Sequence, residues 1–122
     1  MIVGTDDRAK KEDEVDRLFA ALAHTTRRDI VRRTMESDHS VSELARCHTT
    51  SFAAIQKHVA LLEAAGLVTK SPRGREQIVR GSTARIEEAR ELLNRIEAHW
   101  RDRLDRFDQL LSTTTEGEEP CP

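Results

Sequence analysis

The sequence predicts a mainly α fold with one small β-hairpin, built on a helix-turn-helix unit and dimeric through a long C-terminal helix. Three observations predict it. Apolar residues recur at helical spacing through most of the chain. Two short periodic segments, within "SVSELARCHTTSFAAIQKHVALLEAAGLV", flank the polar break Cys47-His48-Thr49-Thr50, which is the arrangement of a helix-turn-helix. A final apolar stripe from Ile86 to Leu111 is longer than one small body can cover.

The elements follow in order. Residues 1–13 are polar and aperiodic and are expected to be a disordered acidic arm. Val15, Leu18, Phe19, Leu22 and Ala23 then fall at helical spacing. Thr26 is placed to cap a second helix, Arg27 to about Met35, with Ile30 and Val31 inward. "ESDHS" has turn chemistry. Ser40-Val41-Ser42-Glu43 matches the capping box, in which each end satisfies an orphan amide of the other, and a short helix follows to about Arg46. Ser51 can cap the next helix, Phe52 to about Ala65, which Gly66 ends as the usual left-handed terminus. "LVTKSPRGREQIVRG" reads as a β-hairpin whose Ser-Pro-Arg-Gly turn carries Lys70, Arg73 and Arg75 nearby. The last helix runs from Ser82 to Leu111. Its apolar positions Ile86, Ala89, Leu93, Ile96, Trp100, Leu104, Phe107 and Leu111 average about 3.6 residues per step and approximate a heptad seam. Residues 112–122 are expected to be a disordered acidic tail, leaving 14–111 as one helix-turn-helix and dimerisation domain.

Composition narrows the classes. With 122 residues, the chain suits one domain; at 37% hydrophobic and 34% charged residues, it leaves one subunit with apolar surface for a partner to cover. The net charge of −2 is unevenly spread. Residues 1–16 carry −3, residues 112–122 carry −3, and the body between carries +4, a local balance compatible with a polyanion. Cys47 and Cys121 have no partner at zinc or redox spacing. No apolar run approaches the ~20 residues needed to cross a bilayer, and the N-terminus has no signal-type segment. The expectation is a soluble cytoplasmic protein with no membrane partner. No phosphate loop, catalytic triad or zinc-protease motif is present, so neither an enzyme nor a cofactor is expected. One Trp, three Phe and no Tyr are too few for a base-stacking platform on single-stranded RNA.

The polar face of the second unit helix decides between a solvated surface and a reading one. Its buried stripe should be Ile55, Val59 and Leu62, with Leu61 and Ala65 at the edge. The opposite stripe, Ala53, Gln56, Lys57 and Ala60, is small and polar with one cation. It suits close approach to a base pair, where acidic side chains would repel phosphate. Gln56 has the paired donor and acceptor that match adenine N6 and N7. Lys57 and His58 suit backbone phosphates, and free amides after Ser51 suit another. Arg73 and Arg75 at the hairpin tip suit a neighbouring minor groove. A Gln-Lys-His face alone is most often merely solvated; the conjunction of unit, Gly66, basic hairpin and long helix favours double-stranded DNA.

"LFAALAHTTRRDIV", "VSELA", "QKHVALLEAAGLV" and "RGREQIVR" resemble, in order, stretches of the ArsR/SmtB family of bacterial transcriptional regulators, over roughly residues 15–110. The resemblance implies a winged helix-turn-helix homodimer on a palindromic operator, usually a repressor released by a signal. The DNA-contacting set is then Thr50, Ser51, Phe52, Ala53, Gln56, Lys57 and His58, with Arg73 and Arg75 in the wing. The dimer set is Leu18, Ile86, Ala89, Leu93, Ile96, Trp100, Leu104 and Phe107. The family's thiolate metal site would fall on Ser40 and Ser42, poor ligands for soft ions. Its long-helix site would fall on Ile86, Glu88, His99 and Asp102, and Ile86 cannot ligate. No metal is therefore expected, and no inducer is read from the sequence. Two alternatives stay open: a metal- or thiol-responsive sensor using His99, Glu88 and Asp102 or Cys47, and a protein-interaction module without DNA. The second would be supported by an acidic recognition face, and this face is not acidic.

Overall fold

The computed structural model describes residues 3–118. In chain order it contains α1 (Val3–Leu22), α2 (Thr25–Glu36), β1 (His39–Ser40), α3 (Val41–Arg46), α4 (Phe52–Ala64), β2 (Val68–Arg73), β3 (Glu76–Gly81) and α5 (Ile86–Glu118). The chain divides into two compact units, residues 1–89 and 90–122. The first holds the helix-turn-helix and the sheet. The described part of the second is the body of α5.

One core organises the first unit. Ile55, Val59 and Leu62 of α4 are fully buried, as expected, and share a cluster with Leu18 of α1, Ile30 of α2, Leu44 of α3 and Val79 of β3. Each such side chain contributes about 1.5–3 kcal/mol when taken from water. Ala65 is buried too, but Leu61 is 47% exposed, so the inward stripe of α4 is narrower than its apolar pattern suggests. Leu18 and Ala89 lie inside this same core. They were expected at a dimer contact, yet their surface is already spent within the subunit, and Ile86 is half-buried against the cluster. Helical periodicity marks which residues share a face, not what covers that face.

Local chemistry sets the helix ends. The Ser40 hydroxyl accepts the Glu43 amide at 3.1 Å and starts α3, and the Ser51 hydroxyl accepts the Ala54 amide at 3.1 Å and starts α4. Gly66 follows α4 with φ 78°, a conformation that favours glycine. The α2 cap departs from expectation. His24, not Thr26, is the cap, its Nδ1 accepting the Thr26 amide at 3.2 Å.

The sheet has the antiparallel order β1-β3-β2. β1 lies in the stretch read as a turn; two residues are too few to show an alternating pattern. Its pairing, His39 with Val79 and Ser40 with Ile78, anchors the start of α3 to the wing. The hairpin is also tighter than expected. Ser71 and Pro72 belong to β2, and Arg73 pairs with Glu76 across a loop of Gly74 and Arg75 alone. A positive φ at Gly74 (65°), and at no non-glycine residue among those described, fits the hairpin turn that takes glycine first. Pro72 is tolerated because β2 is an edge strand.

Both ends are more helical than the sequence suggested. α1 begins at Val3 and α5 continues past Leu111 to Glu118, which covers most of the arm expected over 1–13 and part of the tail expected over 112–122. "DRAKKEDEVD" draws half its residues from Lys, Arg and Glu, good helix formers, and lacks the apolar periodicity by which a buried helix announces itself. Residues 1–2 and 119–122 lie outside the described residues.

Candidate nucleic-acid interface

α3, the turn from Cys47 to Ser51, and α4 form the helix-turn-helix, with the β2–β3 hairpin beside it as the wing. Burial of Ile55, Val59 and Leu62 forces the opposite side of α4 outward. Thr50, Ser51, Phe52, Ala53, Gln56, Lys57 and Ala60 are all exposed. Neither Gln56 nor Lys57 makes a side-chain hydrogen bond or ion pair among the described residues, so their polar ends are uncommitted. Ser51 satisfies only the Ala54 amide, which leaves the Phe52 and Ala53 amides pointing out of the helix start, where an anion is favoured.

The wing carries its cations at the tip. Arg73 and Arg75 are exposed, and neither has an ion pair or side-chain hydrogen bond among the described residues. The other basic side chains of the hairpin are engaged. Arg80 Nε stands 2.8 Å from Asp38 Oδ2, and Lys70 Nζ 4.0 Å from Glu63 Oε1 on α4.

His58 departs from the expected phosphate-contacting set. It is half-buried, its Nδ1 accepts from Arg27 Nη1 at 3.1 Å, and its ring lies 4.7 Å from that of His24. Burial first, then the neighbouring His24, Arg27 and His48, holds its pKa below the ordinary histidine value. A neutral ring is what an arginine donor requires. His58 therefore ties α4 to the α1–α2 corner and stands apart from the outward face. Arg27 also donates to the Ala21 carbonyl at 2.7 Å and the Ala20 carbonyl at 3.3 Å, while Arg28 reaches the Leu22 carbonyl at 2.7 Å. These "RR" side chains satisfy the carbonyls that end α1.

A second brace was not legible in the sequence. Asp29 of α2 accepts from Arg33 Nε, from Arg32 Nη2 (both 2.7 Å) and from His48 Nε2 at 2.8 Å. His48 Nδ1 lies 2.7 Å from the Leu44 carbonyl. The turn between α3 and α4 is thereby fastened to α2. The bond from Arg33, assisted by Arg32 and His48 against the cost of burial, holds the Asp29 carboxyl well below the usual carboxylate range. A depressed carboxylate pKa contributes stability that is complete above about pH 4 and is lost as pH falls below it. Asp29→Asn should cost about 1–3 kcal/mol at neutral pH, toward the low end because Arg32 is exposed and screened. It should also flatten the loss of stability on the acid side. Urea unfolding at pH 7 and pH 3 checks both, and equal stability at pH 7 would discount the brace.

Cys47 is an exposed free thiol. Among the described residues no three His, Cys, Asp or Glu side chains stand together as a metal site, and no helix is long and apolar enough to cross a membrane.

Known proteins share this architecture. No family model matches the chain. It is 33% identical over 104 residues to the HTH-type transcriptional regulator Rv2034 of Mycobacterium tuberculosis, covering 85% of this chain and 92% of the relative. Among solved structures, an ArsR-like transcriptional regulator from Rhodococcus sp. RHA1 is 36% identical with a TM-score of 0.70, over 81% of this chain and 93% of that one. The homodimeric winged helix-turn-helix DNA-binding domain of Mb0332 from Mycobacterium bovis is 22% identical with a TM-score of 0.62, over 87% and 95% of the two chains, a likeness of fold. With the first two matches, which cover more than four-fifths of it, the chain is placed: it is a winged helix-turn-helix transcriptional regulator of the ArsR family.

Proposed function

We propose that the protein binds double-stranded DNA sequence-specifically, as a homodimer on a palindromic operator, and acts there as a repressor. The observation that carries the DNA reading is the face of α4, small and polar, with Gln56 and Lys57 uncommitted among the described residues, beside a wing tip whose two arginines are likewise unpaired among them. In this reading α4 enters the major groove. Gln56 contacts adenine, Lys57 and the amides after Ser51 hold phosphates, and Arg73 and Arg75 reach backbone or minor groove. His58 orients α4 rather than touching DNA.

Dimerisation draws on α5. Leu93, Ile96, Trp100, Leu104, Phe107 and Leu111 are each about half exposed or more, a stripe that water leaves costly and a second copy would cover. The Mycobacterium bovis domain of the same fold is homodimeric. A two-fold dimer sets its reading helices one DNA turn apart, ~34–36 Å, and so calls for a palindrome. The repressor reading follows the family resemblance. A protein-interaction role without DNA is disfavoured by the absence of acidic side chains from the outward face of α4 up to Ala60.

Gln56→Ala tests the assignment. It should cost about 1–3 kcal/mol on a duplex selected from random DNA and relax discrimination at one base pair per half-site. Arg73→Ala or Arg75→Ala should weaken selected and scrambled duplexes more evenly and flatten the salt dependence. Equal losses on both duplexes for Gln56→Ala would remove it from base readout.

A further inference from the structure

We propose that Phe52 is a specificity-determining residue that reads the 5-methyl group of thymine beside the base contacted by Gln56. The inference rests on the DNA-binding reading above and narrows the operator to half-sites centred on A·T pairs.

The position of Phe52 motivates it. Phe52 is the first residue of α4 and is 46% exposed. The inward positions of the helix are already filled by Ile55, Val59 and Leu62, all fully buried, so half of this ring is left in water. A single exposed aromatic is ordinary on a protein surface. Its setting here is not: the N-terminal residues of a reading helix are those that meet base edges, Ala53 beside it is exposed, and Gln56 lies one helical turn further along the same side.

The chemistry of the major groove then selects the ligand. A phenyl ring and an alanine methyl can neither donate nor accept a conventional hydrogen bond. Among the unmodified bases, only thymine shows an apolar group at the major-groove edge, its C5-methyl. Guanine, adenine and cytosine would each set a polar edge against the ring, leaving a donor or acceptor unsatisfied. Gln56 matches adenine, whose pairing partner is thymine, so the amide and the ring read complementary features of one A·T pair or of two neighbouring pairs.

The test removes methyl groups and nothing else. A duplex is enriched from random DNA with the full-length protein, then remade with 2′-deoxyuridine at each thymidine of the half-site in turn. Deoxyuridine keeps O4 and base pairing and lacks only the methyl. At one or more positions per half-site the wild type should lose about fourfold in affinity, the factor that one buried methyl-sized group is worth. Phe52→Ala should bind the thymine duplex more weakly and no longer distinguish it from the uracil duplex, while Phe52→Leu, still apolar, should retain part of the contrast. A wild type that binds both duplexes alike overturns the proposal and leaves DNA binding standing. A contrast that survives intact in Phe52→Ala overturns the assignment to Phe52. A protein that enriches no duplex overturns the DNA-binding reading and this proposal with it.

Discussion

Trp100→Glu is expected to turn the protein into a monomer and to lower its affinity for a selected palindrome by about 10²–10⁴-fold, the gain that a linked second half-site supplies. Trp100 is 57% exposed on α5, midway along the stripe from Leu93 to Leu111, and Arg103 stands with its guanidinium carbon 5.7 Å from the indole ring. Indole offers the largest apolar area of any side chain to a partner surface. A carboxylate at its centre, even with Arg103 nearby, would lose the indole's apolar contact and have to shed its water whenever two copies met. Because Trp100 is outside the core of the first unit, the variant should keep a wild-type fold by circular dichroism. Its weak binding to scrambled duplexes should persist, since that depends on the phosphate contacts of each monomer. Sedimentation across a concentration series is the direct measurement. A monomeric variant, or a monomeric wild type, that still binds its palindrome tightly would refute the dimer.

Leu62→Ala should be the most damaging conservative change inside the first unit, at about 2–5 kcal/mol of stability. Leu62 is fully buried on α4, within the cluster that includes Leu44 of α3 and Val79 of β3. Truncation removes apolar contact and leaves a cavity that helices, held at both ends by caps, can close only in part. Native domains have about 5–15 kcal/mol in total, so the variant should unfold at clearly lower urea with an unchanged slope. DNA affinity per folded molecule should fall as well, because this side chain supports the helix that carries Gln56. A midpoint shift below that of an exposed control such as Ala60→Ser would contradict the core assignment.

Much of this architecture could be read from the residues. Ser40, Ser51 and Gly66 punctuate the helices through chemistry local to a few positions, and local chemistry is visible in a sequence. The inward stripe of α4 followed from its period for the same reason. What escaped was through-space. The contacts of His48 with Asp29 and of His58 with Arg27 join residues 19 and 31 apart, and nothing in their spacing marks them as neighbours. The histidine of the outward face was thus read as a phosphate ligand when its ring turns inward. Leu18 and Ala89 were misplaced because an apolar stripe looks the same whether its own subunit or another covers it. β1 escaped through shortness alone.

The tightness of the wing has a thermodynamic consequence. Six residues on each side are paired, and only Gly74 and Arg75 close the loop. The backbone of the tip has therefore lost most of its conformational freedom during folding, at roughly 1–2 kcal/mol of entropy per residue. Little of that ordering remains to be done when a partner arrives. The residual cost is the freezing of the two arginine side chains, about 0.5–1.5 kcal/mol each. A longer, glycine-rich tip bearing the same two charges would keep the attraction but would have to order its backbone on every encounter. Preorganisation, as much as charge, is what this hairpin would bring to the proposed DNA contact.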